Sequence, residues 1–248
     1  MNPLRAIWVF NFCVYLAGRL TFGHNDLRDL DNQPADCDII PMRLLAVAGP
    51  TSVPGLQREN IMLTYKFDFQ KTLQAAALLL RAHHNRMEYI RLLKLLYIAD
   101  RELLAKIGRT LTGDQAIAMK RGPVLTTVYD LIKGKGSVAT NAEWATAIRT
   151  EGYEVTLSGD VGTNRLTKAE AIVLEDVCLR YRDTDSEGPS DLTHEFREWA
   201  EVFDESRADS SPVIDWATAL AAQGKGELIE EARRMTRERQ AADTAFGG

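Results

Sequence analysis

Lys94 lies in MEYIRLLKLLYIADRELLAKI, a run from Met87 to Ile107 that is otherwise dense in apolar residues. A lysine in such a place must extend its stem to water or meet a carboxylate, because an unpaired ammonium is costly in an apolar interior. Asp114 is the candidate carboxylate. A buried structural ion pair is the plainer reading of Lys94, and a functional lysine the sharper one. Asp100, Arg101 and Glu102 place carboxylates on the same run. Acids this close in sequence form surface ion pairs far more often than an acid–base couple. His194 follows Leu192-Thr193 near a helix start. Its imidazole could act as a base or a metal ligand, but no cysteine or second histidine accompanies it. A hydrogen-bonded structural histidine is therefore the plainer reading. His83 and His84 are adjacent, so on a helix their side chains diverge by about 100° and cannot face one metal ion. They read as helix-terminal residues, where an imidazolium suits the C-terminal end of the dipole.

The short motifs of known chemistry are missing: no GxGxxG, no P-loop, no HExxH, no GxSxG and no EF-hand loop. No metal and no cofactor is expected. The three cysteines, Cys13, Cys37 and Cys178, include no CxxC pair, so neither a disulfide framework nor a zinc ribbon follows. That pattern fits a reducing, cytoplasmic location. Thirty Lys and Arg against 35 Asp and Glu give a net charge of -5 over 248 residues. The acidic balance, with no Lys/Arg-rich recognition helix, argues against a DNA-binding regulator.

The elements that must position these residues are mostly helical. Asp68 caps a helix over 69–83, with Phe69, Leu73, Ala76, Ala77 and Leu80 on its apolar face. The run 87–107 is apolar on most of its circumference, which predicts a buried central helix closed by Gly108 at C′. Thr112-Gly113-Asp114 is turn chemistry, and Ala116–Met119 is either extended or a helical turn. Gly122-Pro123 is expected to open a third helix, with Val124, Val128, Leu131 and Ile132 inward. The arms on either side of Glu151-Gly152, within 144–158, read as a β-hairpin that needs helices to pack on. Thr167 and Glu170 form a capping box before a helix that faces Leu174, Val177, Cys178 and Tyr181 inward. Ser190 or Asp191 caps a further helix, LTHEFREWAEVF, with Leu192, Phe196 and Trp199 inward. A polar linker, 205–212, precedes helices at 213–220 and 227–242. The last of these is mostly charged and reads as a solvated or packed terminal helix, or as a partner-docking or degradation-signal helix. The expected fold class is mainly α: a compact helical domain over 62–204 with one small β-hairpin, followed by the linker and C-terminal helices of 205–248.

Residues 1–61 have a different texture. Five of the eight prolines fall there, and the one sustained apolar run, Ile7–Gly18, is shorter than the ~20 residues of a spanning helix. It has the outline of a secretory signal, but Asn11 interrupts it and no small-x-small cleavage site precedes Arg19. A translation start at Met42 or Met62 is the preferred explanation, ahead of a disordered extension and of a signal.

The run KLLYIADRELLAKIGRTLTGDQAIAMKRGPVLTTVYDLIKG, residues 94–134, resembles the signature of the Panacea antitoxin family, which includes SocA-like and phage-associated proteins. The matching features are Lys94-Leu95-Leu96-Tyr97 with Ala99-Asp100, then Gly113-Asp114, Gly122-Pro123-Val124 and Val128-Tyr129. Leu166–Glu170 and Leu192-Thr193-His194 are similar to the later part of the pattern, although the family more often has a longer gap before the histidine. The resemblance spans about 67–200. It implies a small helical domain with a minor hairpin, no enzymatic activity and no cofactor. It also implies direct binding of a cognate toxin protein encoded nearby, and in at least one SocA-like member delivery of that toxin to a host protease. Lys94, Tyr97, Asp100, Gly113, Asp114, Gly122, Pro123, Tyr129 and His194 carry over as motif positions of structural or partner-contact importance. Two other classes stay open: an enzyme with a polar site around Lys94, Asp100 and His194, and a phage or mobile-element regulator.

Because the capped, periodic helices all follow it, residues 1–61 are expected to be dispensable. A chain beginning at Met62 should melt within ~2 °C of the full chain, since ~1 kcal/mol moves a domain of this size by about 2–4 °C. A larger loss in a thermal melt overturns the expectation.

Overall fold

In the computed structural model the described residues are 61–184, 188–207 and 210–246. The expectations for residues 1–60 lie outside them. The elements run in order as α1 (Phe69–Ala82), β1 (Arg86–Glu88), α2 (Tyr89–Ile107), β2 (Ala116–Met119), β3 (Gly122–Leu125), α3 (Thr126–Ile132), α4 (Val138–Ala147), β4 (Ile148–Glu151) and β5 (Glu154–Leu157). They continue as α5 (Lys168–Arg180), α6 (Gly188–His194), α7 (Arg197–Ala200), β6 (Val213–Ile214), α8 (Trp216–Ala222) and α9 (Ile229–Phe246), with 3-10 turns before β6 and α9. The fold is mainly α, as the periodicity predicts, with two small antiparallel sheets among the described residues where one hairpin is expected.

α2 is the centre. Every residue from Arg91 to Asp100 is buried, together with Tyr89, Leu103 and Leu104. α1, α5, α6, α8 and β3 pack around it. Its C-terminus closes on Gly108 at φ 71°, the left-handed cap expected from the sequence. α1 begins as expected, with Asp68 Oδ1 accepting from the Lys71 N–H at 3.0 Å. The Thr167–Glu170 capping box is present at the start of α5, and Cys178 is buried on its inner face.

Several expected elements change form. The central helix starts at Tyr89 and not Met87, because Arg86–Glu88 pairs with β5, Met87 opposite Val155. That third strand is what a two-stranded hairpin needs to be stable. The hairpin arms are short, because residues 138–147 fold as α4, which Ser137 caps by accepting from the Thr140 N–H. Gly122–Leu125 is a strand and not a first helical turn. β3 is an edge strand in the order β3-β2-β6, where a proline's missing N–H disrupts little. The helix follows at Thr126. The helix expected over 192–203 breaks at Glu195-Phe196 into α6 and α7. Val213-Ile214 is a strand on β2, and Asp215 caps α8 through the Ala217 N–H.

The turn between α2 and β2 is built on a close backbone approach. Gly113 has φ 71°, and a Cβ there would stand 2.0 Å from the Lys66 carbonyl oxygen. The same contact region holds the Asp68 N–H on the Thr112 carbonyl at 2.9 Å. Gly113→Ala is therefore expected to cost more than ~1 kcal/mol, the left-handed penalty alone, because the clash adds to it. Urea unfolding checks this; an unchanged midpoint overturns it.

Candidate functional site

Three polar nodes hang on α2, each built from side chains that a buried helix cannot leave unsatisfied. In the first, Lys94 is 1% exposed, and its Nζ donates to the Pro123 carbonyl at 2.7 Å. Burial alone lowers its pKa from 10.5 to about 7. Gly122, at φ 88°, lies against the same amine: a Cβ there would be 2.8 Å from Lys94 Nζ, 2.7 Å from Thr193 Oγ1 and 3.1 Å from His194 Cδ2. The His194 ring stacks on Trp199 at 4.8 Å, and its Nε2 is buried without a hydrogen-bond partner. Trp199 in turn donates its indole N–H to the Met119 carbonyl at 3.0 Å.

The expected Lys94–Asp114 ion pair does not form. Asp114 makes the second node, with its carboxylate spent elsewhere. It accepts from the Gln115 N–H at 2.8 Å, the Thr127 N–H at 3.1 Å, the Thr127 hydroxyl at 2.7 Å and the Val128 N–H at 3.0 Å. It thus caps α3 from a distant loop, where a carboxylate suits the N-terminal dipole. Burial raises its pKa, and these donors pull it back. Asp100 holds the loop just before it. Oδ1 accepts from the Leu111 N–H at 2.6 Å and the Thr112 N–H at 2.8 Å, and Oδ2 from the Thr112 hydroxyl at 2.5 Å. Asp100 is fully buried and not a surface acid, and burial pushes its carboxyl up to about 7 against the pull of those donors.

The third node joins Tyr97 to Glu198. The Tyr97 hydroxyl donates to Glu198 Oε1 at 3.2 Å, and Arg101 Nε meets the same oxygen at 2.5 Å. Burial first, and then the Glu198 charge, hold the Tyr97 phenol well above its usual range. Sequence reading missed Glu198; it placed Trp199 inward and named Thr193 only within the Leu192-Thr193-His194 motif, without the contacts either makes. Tyr97 and Arg101, one turn apart, do signal a need for an acid, but no spacing rule reaches a partner on α7. Tyr129 sits apart on α3, half-buried, with Lys133 Nζ 5.6 Å from its ring centroid.

His83 does end α1, with Nδ1 3.0 Å from the Leu79 carbonyl. Burial lowers its pKa, and the nearby Arg91 guanidinium adds to that, so the imidazolium reading of the dipole is corrected toward the neutral ring.

Of the three residues that an enzymatic site would gather, Lys94 and His194 meet at Gly122, while Asp100 is committed to the Leu111-Thr112 loop. No group of three His, Cys, Asp or Glu that could hold a metal ion occurs among the described residues. None of the described helices is long and apolar enough to cross a membrane.

Residues 92–200 match the family described as "Antitoxin SocA-like, Panacea domain". That span contains every candidate residue from Lys94 to His194. No curated protein and no solved structure matches the chain.

The nodes make separable predictions for stability. The Lys94 pKa is lowered on folding, so the unfolded chain binds more protons between about pH 7 and 10.5. Stability from this group therefore rises with pH across that window, by up to ~1.4 kcal/mol per unit. Lys94→Met should remove that slope. At pH 7 it should be within ~1 kcal/mol of wild type or more stable, because losing a desolvated amine offsets one unmet carbonyl. Asp114→Ala strands several donors at a helix start and should cost ~2–4 kcal/mol. Urea unfolding of both variants at pH 7 and 9 checks the order; a Lys94→Met loss larger than that of Asp114→Ala overturns it.

Proposed function

We propose, from the antitoxin SocA-like, Panacea domain that this chain carries over residues 92–200, that the protein is the antitoxin of a toxin–antitoxin pair. It neutralises a cognate toxin, encoded beside it, by direct stoichiometric binding in the cytoplasm. The family match carries this reading. The disposition of the polar residues supports it: Asp100, Asp114 and the Tyr97–Arg101–Glu198 group are spent on internal bonds that shape the domain. A binding protein needs only a formed, complementary surface. Specific stable interfaces bury ~1,200–2,000 Å² in total, which a helical body of this size can present.

α9 is part of the proposed face. Among its described side chains only Ala232 and Thr236 are buried, and Met235 is 56% exposed among charged neighbours. Its outer charges are paired along the helix, Arg234 with Glu231 and Glu238 at 2.5 Å each. Such exposed pairs contribute little to stability and leave the helix free to exchange partners. Delivery of the captured toxin to a host protease is the second step open to such an adaptor.

Co-expression with the product of the adjacent gene should restore growth and yield a complex that co-purifies at a fixed ratio. In a host lacking the protease, rescue should persist if binding alone neutralises and should fail if delivery is required. Rescue at strongly substoichiometric levels, with no complex and no protease, points instead to catalytic turnover and overturns the proposal.

A further inference from the structure

The segment Gly188–Ala200, α6 and α7 with the break between them, packs against α2 and β3 beside Lys94, with Leu192, Phe196 and Trp199 on the core. Glu198 bonds Arg101 and Tyr97, the Trp199 indole bonds the Met119 carbonyl, and the Arg101 guanidinium lies 4.1 Å from the Phe196 ring centroid. Against these ties stand unmet polar groups. The Ser190 hydroxyl and His194 Nε2 are buried with no hydrogen-bond partner, although the two residues sit one turn apart on a seven-residue helix. Beneath them the Lys94 amine has the Pro123 carbonyl as its hydrogen-bond acceptor. Most buried polar groups find a hydrogen-bond partner, so two unmatched ones on a single short helix mark a place where water could replace packing.

The groups around Lys94 are few enough to name. β3 supplies the Pro123 carbonyl and the Cβ-free surface of Gly122. α6 supplies the Thr193 hydroxyl, which donates to the Ser190 carbonyl, and the His194 ring. α7 supplies Glu198, whose carboxylate is taken by Arg101 and Tyr97. On α2 itself, Arg91 one turn earlier donates to the Thr184 and Tyr181 carbonyls. None of the ion pairs among the described residues includes Lys94, so its charge meets no carboxylate in the docked state.

We propose that Gly188–Ala200 is a proton-linked latch, docked while the Lys94 amine is neutral and released when the amine takes up a proton. Undocking admits water to the ammonium, to His194 Nε2 and to the Ser190 hydroxyl together. It also presents the ammonium beside the exposed Lys120-Arg121 turn that leads into Gly122, a cationic cluster that the docked form hides. The direction follows from the two states of one amine. Docked, it titrates at about 7; hydrated, it returns to 10.5. Between these values each unit of falling pH favours release about tenfold, and below about 7 the effect levels off.

Hydrogen exchange of peptides within 188–200, followed by mass spectrometry from pH 7 to 9 and corrected for intrinsic rates, tests the latch on the full chain. In the wild type the opening constant should rise about 50-fold as pH falls from 9 to 7, because the docked amine is itself half protonated at pH 7. Lys94→Met should be protected and independent of pH. Lys94→Arg, charged throughout, should be open and independent of pH. His194→Gln should keep the wild-type slope. A flat wild-type profile, a slope that survives in Lys94→Met, or a slope lost in His194→Gln overturns the proposal. Should Lys94→Met fail to fold, a protected segment in Lys94→Arg overturns it equally.

Discussion

A helix buried around nearly its whole circumference must find an internal partner for every polar side chain it carries. α2 is such a helix, and the rest of the domain is arranged to meet that demand. Asp100 draws in the Leu111-Thr112 backbone and so fixes the loop after Gly108. That loop delivers Asp114 to the start of α3, and Trp216 donates its indole N–H to the Asp114 carbonyl from α8. Tyr97 and Arg101 draw in Glu198. Elements distant in sequence thus meet on a single helix through a handful of hydrogen bonds.

The three nodes differ in how well they are satisfied. Asp114 and Glu198 have their charges matched by several donors, and Asp100 has three hydrogen bonds to offset its burial. Lys94 has a carbonyl and no carboxylate. A buried network that is fully satisfied rigidifies a core, whereas a partly satisfied one stores free energy that a change of state can release. The contrast separates a frame, formed by Asp100, Asp114 and Glu198, from a node with a single neutral acceptor that lies beneath a short, broken helical segment.

The domain spends its buried polar groups on its own shape. Its polar motif residues are turned inward to hold the shape, and α9 and the Lys120-Arg121 turn are left outside to meet solvent or a partner. Substitution of such surface groups costs little stability.

Much of the architecture was legible in the chain. The dense apolar period of 87–107 predicts a central helix, Gly108 its end, Asp68 the start of α1, and Thr167 with Glu170 the start of α5. Each is a local matter, set by side chains within a turn or two of the backbone they act on. The resemblance over 94–134 drew attention to Lys94, Gly122 and His194 in advance. What the sequence could not decide was pairing over long separations. Local periodicity does not show that Arg86–Glu88 joins a sheet through Val155, that Pro123 lies on an edge strand, or that the 192–203 helix breaks so that Glu198 turns inward. The partner of Lys94 shows the limit most clearly. Charge alone points to Asp114, but Asp114 offers its oxygens to the N–H groups at the start of α3, and the lysine is left with a proline carbonyl. Only the tertiary structure brings those competing donors within reach of one carboxylate, and a helix N-terminus with several aligned N–H groups outcompetes a single buried amine.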